Sequence, residues 1–235
     1  MNAPLVLGRR RSKACSYNPT GNPICLLLLT IGSMFGQSFQ PQSEQERSAD
    51  LKKRVIDTLH LHAGDTAADV GCGDGFYTVP LARFLGPSGR VFAVDINDVE
   101  LFKLKQHLSE EGLKNVEVIM GTEDDPKLPA NRLDAVLIVN AYHEMTAHEA
   151  MLRQALASLK PGGTFALMEG IWDSRETQSR EEQIKHHQLA PKMARRELEV
   201  AGFEIVEVRD PFLQRPPDED GKSRWWLIVA QRPAR

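Results

Sequence analysis

The chain has 235 residues, 41% hydrophobic and 26% charged, so it can bury one sizeable core and is not a low-complexity or disulfide-framed sequence. Its formal net charge of −3 is uneven: residues 1–40 hold Arg9, Arg10, Arg11 and Lys13 and no acid, leaving 25 basic against 32 acidic residues, or −7, in the rest. An acidic body argues against a nucleic-acid substrate, because phosphate contacts from Lys and Arg supply most such affinity.

In chain order, residues 1–40 read as a leader or signal peptide outside the fold. A basic stretch precedes the apolar run Ile24-Cys-Leu-Leu-Leu-Leu-Thr-Ile31, and small or polar residues around Gly36, Gln37 and Ser38 suit a signal peptidase. The run is shorter than the roughly 17 to 25 residues of a membrane span, so no integral span is expected in the mature chain. The rival readings are an uncleaved membrane-proximal anchor and a mispredicted start. Arg9-Arg10 hints at a twin-arginine signal, although the apolar stretch begins far downstream. Cleavage implies an exported or periplasmic protein, and retention a cytoplasmic or membrane-proximal one. Cys15 and Cys25 would depart with the leader and leave Cys72 as a lone thiol, so no disulfide is expected within the mature chain.

Residues 41–235 read as a single domain of alternating helices and strands. Leu51, Val55 and Leu59 share one face of a helix over 49–59. A short strand over 66–70 meets a glycine-rich turn, and a helix from Phe76 to about Leu85 stops at Gly86-Pro87-Ser88-Gly89. Strand two covers 91–94, an amphipathic helix carries Leu101, Leu104 and Leu108 to Gly112, and strand three covers 116–120. Strand four, 133–139, is continuously apolar, as strands covered on both faces are. The helix after it carries Met151, Leu152, Ala155, Leu156 and Leu159 and is expected to end at Pro161-Gly162-Gly163, before strand five over 164–168. A polar helix over 181–200 is interrupted at Pro191, and strands over 203–208 and 225–230 close the chain around the polar loop 210–223, which may be read as a cover for an acceptor pocket or as a plain hairpin loop. Alternation of this kind predicts a parallel sheet with helices on both faces.

The most informative stretch is 69–75, Asp-Val-Gly-Cys-Gly-Asp-Gly, which joins strand one to the following helix. Gly71, Gly73 and Gly75 let the backbone adopt positive φ and approach a ligand, and the helix start offers free N–H groups. Asp95 ends strand two 24 residues after Gly71, where a carboxylate can accept two hydrogen bonds from a ribose diol. An adenosine-type ligand is implied. Against a dinucleotide, the sixth position counted from Gly71 is the bulky Phe76, which disfavours an NAD-type oxidoreductase.

Together with Gly121-Thr-Glu-Asp-Asp125, Leu133-Asp-Ala-Val-Leu-Ile-Val139 and Leu159-Lys-Pro-Gly-Gly163, these residues resemble the class I S-adenosylmethionine-dependent methyltransferases over about 50–169. The resemblance implies a Rossmann-like three-layer α/β sandwich with a seven-stranded sheet of order 3-2-1-4-5-7-6, strand seven antiparallel. It also implies S-adenosylmethionine as cofactor and a small-molecule methyl acceptor. Cofactor-binding roles then fall on Asp69, Gly71, Gly73, Gly75 and Asp95 with its neighbour Ile96, on Glu123 and Asp124 for the adenine amino group, and on Tyr77 and Asn140 for the methionine portion. Bland alternatives stand beside these: a backbone-capping role for Asp69, a helix N-cap at Asp95, and an ordinary turn at 123–125.

His143 follows strand four directly and is the candidate general base, with Glu144 to orient it or act instead; the opposing reading is the start of a solvated helix. No metal is assigned. Adjacent His186 and His187 point to different helix faces and read as a surface pair, and His143 and His148 are poorly spaced for one face. A magnesium site built on Asn140, Glu144, Glu169 and Asp173 is conceivable but unassigned. The alternative to an enzyme is an exported accessory protein that keeps the cofactor fold without turnover. Oligomeric state and acceptor identity are left open.

Overall fold

A computed structural model describes residues 44–214 and 223–234, all within one compact unit, Gln42–Arg235. The leader expected over 1–40 and most of the 210–223 loop lie outside the described residues. In chain order the elements are α1 (Glu44–Asp57), β1 (Thr66–Val70), α2 (Thr78–Leu85), β2 (Arg90–Asp95), α3 (Asp98–Glu110), β3 (Val116–Met120) and β4 (Leu133–Val139). There follow α4 (His148–Ser158), β5 (Leu159–Trp172), α5 (Arg180–Ile184), α6 (Pro191–Ala201), β6 (Glu204–Gln214) and β7 (Ser223–Gln231).

The seven strands form one sheet of order β3-β2-β1-β4-β5-β7-β6. The pairs among β1 to β5 are parallel, and β7 runs antiparallel to both β5 and β6. The period-two alternation of strands sorts the core into two apolar layers. Ala67, Val91, Leu137 and Val229 face α1 and α2 through Val55, Leu59, Leu81 and Leu85. Ala68, Phe92, Val136 and Phe165 face the opposite side, where Leu152, Ala155 and Leu198 of α4 and α6 cover them. Leu101, Leu104 and Leu108 dock α3 against Ala93, as their spacing predicts. No helix among the described residues is long and apolar enough to cross a membrane.

Several boundaries differ from the sequence reading. Helix α4 ends at Ser158, and Leu159 already pairs with Leu133, so Pro161, Gly162 and Gly163 belong to an irregular start of β5. Strand β5 runs on to Trp172 because β7 pairs with it as far as Ser223. The helix expected over 181–200 is two helices. Pro191 lies at the start of α6, where its fixed φ and missing N–H cost nothing, and a turn over 185–190 separates it from α5. The helix after the glycine turn opens at Thr78 rather than Phe76.

Candidate active site at the carboxyl edge of the sheet

Because β1 to β5 are parallel, their carboxyl ends converge on one edge, and the sheet order reverses direction between β1 and β4. The glycine turn after β1 is shaped by its neighbours. Gly71 and Cys72 both donate to the carbonyl of Val94, drawing the turn against the end of β2. Gly71 sits at φ +76, and a Cβ there would fall 2.3 Å from Cβ of Ala141. Gly75, at φ +97, has Leu104 2.5 Å from the same notional position. Gly73 differs: its φ is +53, but an added Cβ would meet no protein atom within 4 Å, so its bare backbone opens on a cavity.

That cavity, of about 640 Å³, is bounded by Gly71, Gly73, Asp95, Ile96, Thr122, Glu123, Asn140, Ala141, Glu144 and Met145. Two larger grooves, of about 880 and 910 Å³, are lined by neither Asp95 nor Asn140, although the first shares Asp74 with this cavity. The Asp95 carboxylate is held at both oxygens: Gly73 N–H donates to Oδ2 at 2.8 Å and Asn97 N–H to Oδ1 at 2.9 Å. Each oxygen keeps acceptor capacity on the cavity side. The N-cap of α3 is Asn97, whose Oδ1 accepts from Val99 and Glu100, so the capping alternative for Asp95 is taken by another residue. Ile96 is 59% exposed at the lip, an apolar surface for a flat base. A nucleoside fits this donor set: a carboxylate for a diol, a Cβ-free backbone for close approach, and an apolar lip.

Of the acids expected at the adenine, Glu123 lines the cavity and accepts a hydrogen bond from Thr146 at 3.2 Å. Asp124 instead accepts from the Thr122 hydroxyl at 2.8 Å within the turn and is absent from the cavity wall, so the turn reading suits it better. Asp69 is buried beneath the glycine turn and accepts from the Thr78 hydroxyl at 2.6 Å. Burial raises its pKa to about 6; the Thr78 bond opposes this and the charge of Asp95 adds to it.

A second cavity, of about 380 Å³, adjoins the first through Gly71, Gly73, Asp74 and Asn140. Its remaining walls are mainly apolar, Leu51 of α1, Tyr77, Met168 of β5, Leu213 of β6 and Trp225 of β7, with the buried Asp69 carboxylate among them; β6 runs on to Gln214, so residues 210–214 of the expected loop are strand. Tyr77 therefore belongs to this second space rather than to the first. Burial, followed by the charge of Asp69, pushes its phenol upward. Asn140 lines both spaces from a left-handed backbone at φ +52.

The expected catalytic pair is divided by burial. Glu144 is exposed and lines the donor cavity, while the His143 ring is buried behind it. Nδ1 of His143 lies 2.8 Å from Oε2 of Glu169, a fully buried carboxylate whose other oxygen accepts from the backbone N–H of Tyr142 and His143 at 2.7 and 3.2 Å. Burial opposes protonation of the imidazole, but the hydrogen bond and charge of Glu169, with Glu144, outweigh it and raise its pKa. The solvated-helix reading fails for His143, which is buried against Glu169, whereas Glu144 is exposed on the same short 3-10 turn. Sequence reasoning weighed Glu169 only as a magnesium ligand; its place on β5 became visible once that strand was seen to continue past Met168. Asp173 is tied to Arg224. His187, expected at the surface, is exposed but turns toward Glu144, with its Nδ1 3.3 Å from Oε1.

A parallel sheet reversing at β1/β4, a glycine turn braced by a strand-end carboxylate, and an antiparallel seventh strand are the fold features of class I S-adenosylmethionine-dependent methyltransferases, and part of the chain matches such a domain. Residues 67–163 match the family model described as "Methyltransferase domain". Over 119 residues the chain is 29% identical to the ubiquinone/menaquinone biosynthesis C-methyltransferase UbiE of Pseudomonas putida, covering 50% of this chain and 46% of that protein. It is 30% identical over 123 residues to the demethylmenaquinone methyltransferase of Geobacillus stearothermophilus, covering 52% and 53%. The chain spans about half the length of these curated relatives. Among solved structures, an S-adenosylmethionine-dependent methyltransferase from Aquifex aeolicus superposes with a TM-score of 0.62 at 22% identity, over 81% of this chain and 99% of that one, a likeness of fold.

Proposed function

We propose that this protein transfers a methyl group from S-adenosylmethionine to a small, largely apolar acceptor. The observation that carries the reading is the junction of the two cavities: a 640 Å³ space suited to a nucleoside meets, at Gly71, Gly73 and Asn140, a 380 Å³ space that has Asp69 beside the glycine turn and largely apolar walls beyond it. When bound, the cofactor supplies a methyl group on a sulfonium, a good leaving group.

The chain's own residues have three tasks. Asp95 and the Gly73 backbone hold the sugar end, which fixes where the methyl lies along the junction. Asp69, once ionised, favours a cationic amine beside the turn. Leu51, Tyr77, Met168 and Trp225 exclude water and hold the acceptor in line, and such alignment at about 3 to 3.5 Å supplies much of the rate in a displacement of this kind. The largely apolar walls, together with relatives named as a ubiquinone/menaquinone biosynthesis C-methyltransferase and a demethylmenaquinone methyltransferase, favour an acceptor of the quinone class.

The test is incubation of the purified full chain with methyl-labelled cofactor, a panel of demethylated quinols and a fractionated cell extract. Label should enter one small-molecule species, and Trp225→Ala should raise its KM about tenfold or more, since roughly 2 kcal/mol or more of apolar contact is lost. Cofactor binding without label transfer to any fraction would instead favour an accessory protein that retains the fold.

A further inference from the structure

We propose that His143, Glu144 and His187 form a binding site for one divalent cation of the zinc class at the rim of the donor cavity. They come from two places, adjacent His143 and Glu144 from the turn after β4 and His187 from the turn between α5 and α6, and their candidate ligand atoms all lie within 4.8 Å of one another. Nε2 of His143 is 3.7 Å, and Nδ1 of His187 3.3 Å, from the same oxygen, Oε1 of Glu144. Zinc bonds of about 2.0 to 2.2 Å set neighbouring ligands of a tetrahedron roughly 3.3 Å apart. Small side-chain adjustments bring the trio to that spacing.

The surroundings are those of a metal centre. Glu169 accepts from Nδ1 of His143 at 2.8 Å, which fixes the ring and aims the Nε2 lone pair at the Glu144 carboxylate. A carboxylate behind a ligating imidazole is the usual outer partner of a metal-bound histidine. Two imidazole nitrogens face the same Glu144 oxygen, an arrangement that a shared cation satisfies by taking all three as ligands, in competition with protonation of the imidazoles. His187 is held for this purpose by its segment. It adopts a left-handed φ of +55. On either side, the buried Gln183 side chain accepts from Ala190 N–H at 2.7 Å and donates to the Arg175 carbonyl at 3.0 Å, while Leu189 N–H donates to Gly170 on β5 at 3.2 Å.

Access is graded. The His143 side chain is 2% exposed, whereas Glu144 and His187 are 64% and 73% exposed, so a cation enters from solvent onto a fixed inner ligand. Three protein ligands with an open position describe a reactive zinc site rather than a closed structural one. Glu144 also lines the first cavity, so the cation would lie at its rim. The cation site stands without the methyl-transfer reading.

The test uses the full chain stripped with a chelator. Co²⁺ is followed by visible absorption, Zn²⁺ by competition with a chromophoric chelator, and S-adenosylmethionine binding by calorimetry on the same samples. One equivalent of Co²⁺ should develop ligand-field bands that His187→Ala and Glu144→Gln abolish. Zn²⁺ affinity should fall about 10- to 100-fold in Glu169→Gln, the usual effect of removing an outer partner. His187→Ala changes an exposed side chain and should keep the native fold and cofactor affinity. Absence of bands, bands unchanged in His187→Ala, or intense near-ultraviolet thiolate bands from a cysteine site would each overturn the proposal. Loss of cofactor binding in wild type would count against the methyltransferase reading and leave the cobalt result to stand or fall alone.

Discussion

Gly71 and Gly73 are two residues apart in one turn, yet they answer to different constraints, and substitution separates them. Alanine at 71 must place a methyl 2.3 Å from Ala141 at positive φ, which predicts a loss of about 2 to 4 kcal/mol of stability in denaturant unfolding. Alanine at 73 meets no protein atom, so it should cost about 1 kcal/mol for its φ while still obstructing the ligand, lowering cofactor affinity tenfold or more in calorimetry. Asp69 carries a pH dependence. Its folded pKa is raised from 3.8 to about 6, so its contribution to stability is whole below about pH 4 and is lost as pH rises through 6. Cofactor binding runs the other way, because a cationic amine favours the carboxylate. Affinity should therefore rise as pH passes 6, and Asp69→Asn should flatten that profile. A binding curve as steep in the variant as in the wild type would remove Asp69 from the site.

At the scale of elements, the segment from Arg175 to Pro191 shows how far a sequence pattern reaches. Its polar composition suggests a helix over 181–200 interrupted at Pro191, where the break does fall, but periodicity does not reveal that Gln183 is fully buried. Gln183 donates to the carbonyls of Arg175, Glu176 and Gln178 and accepts from Ala190, tying two short helices into one clasp. Gln183→Ala strands several of these groups and should cost about 2 to 4 kcal/mol, with earlier proteolysis between α5 and α6. By contrast, β1 to β4 and α3 were legible, because continuous apolar runs and the Leu101, Leu104, Leu108 spacing are local signals. The start of β5 was misread because Pro161, Gly162 and Gly163 usually end a helix, and pairing of Leu159 with Leu133 is a tertiary choice. The site divides in the same way. Asp95 and the glycines were found from spacing along the chain, whereas Glu169, His187 and the Leu213 and Trp225 wall come from strands and turns distant in sequence.

For the whole molecule, the sheet order brings the turn after β1, the tip of β2 and the turn after β4 to one edge, and both cavities follow from that convergence. The acidic body and the largely apolar second cavity support the proposed small-molecule acceptor over a nucleic acid. The central claim is that Asp95 grips a ribose diol at the donor cavity. Calorimetric titration of the full-length protein and its Asp95→Ala variant with S-adenosylmethionine and its demethylated product tests it most directly. Two charge-assisted hydrogen bonds of about 1.5 to 3 kcal/mol each predict a 100-fold or greater loss of affinity in the variant, with its unfolding transition still cooperative. Equal affinities in the two proteins, or no binding heat from folded wild type, would contradict the account.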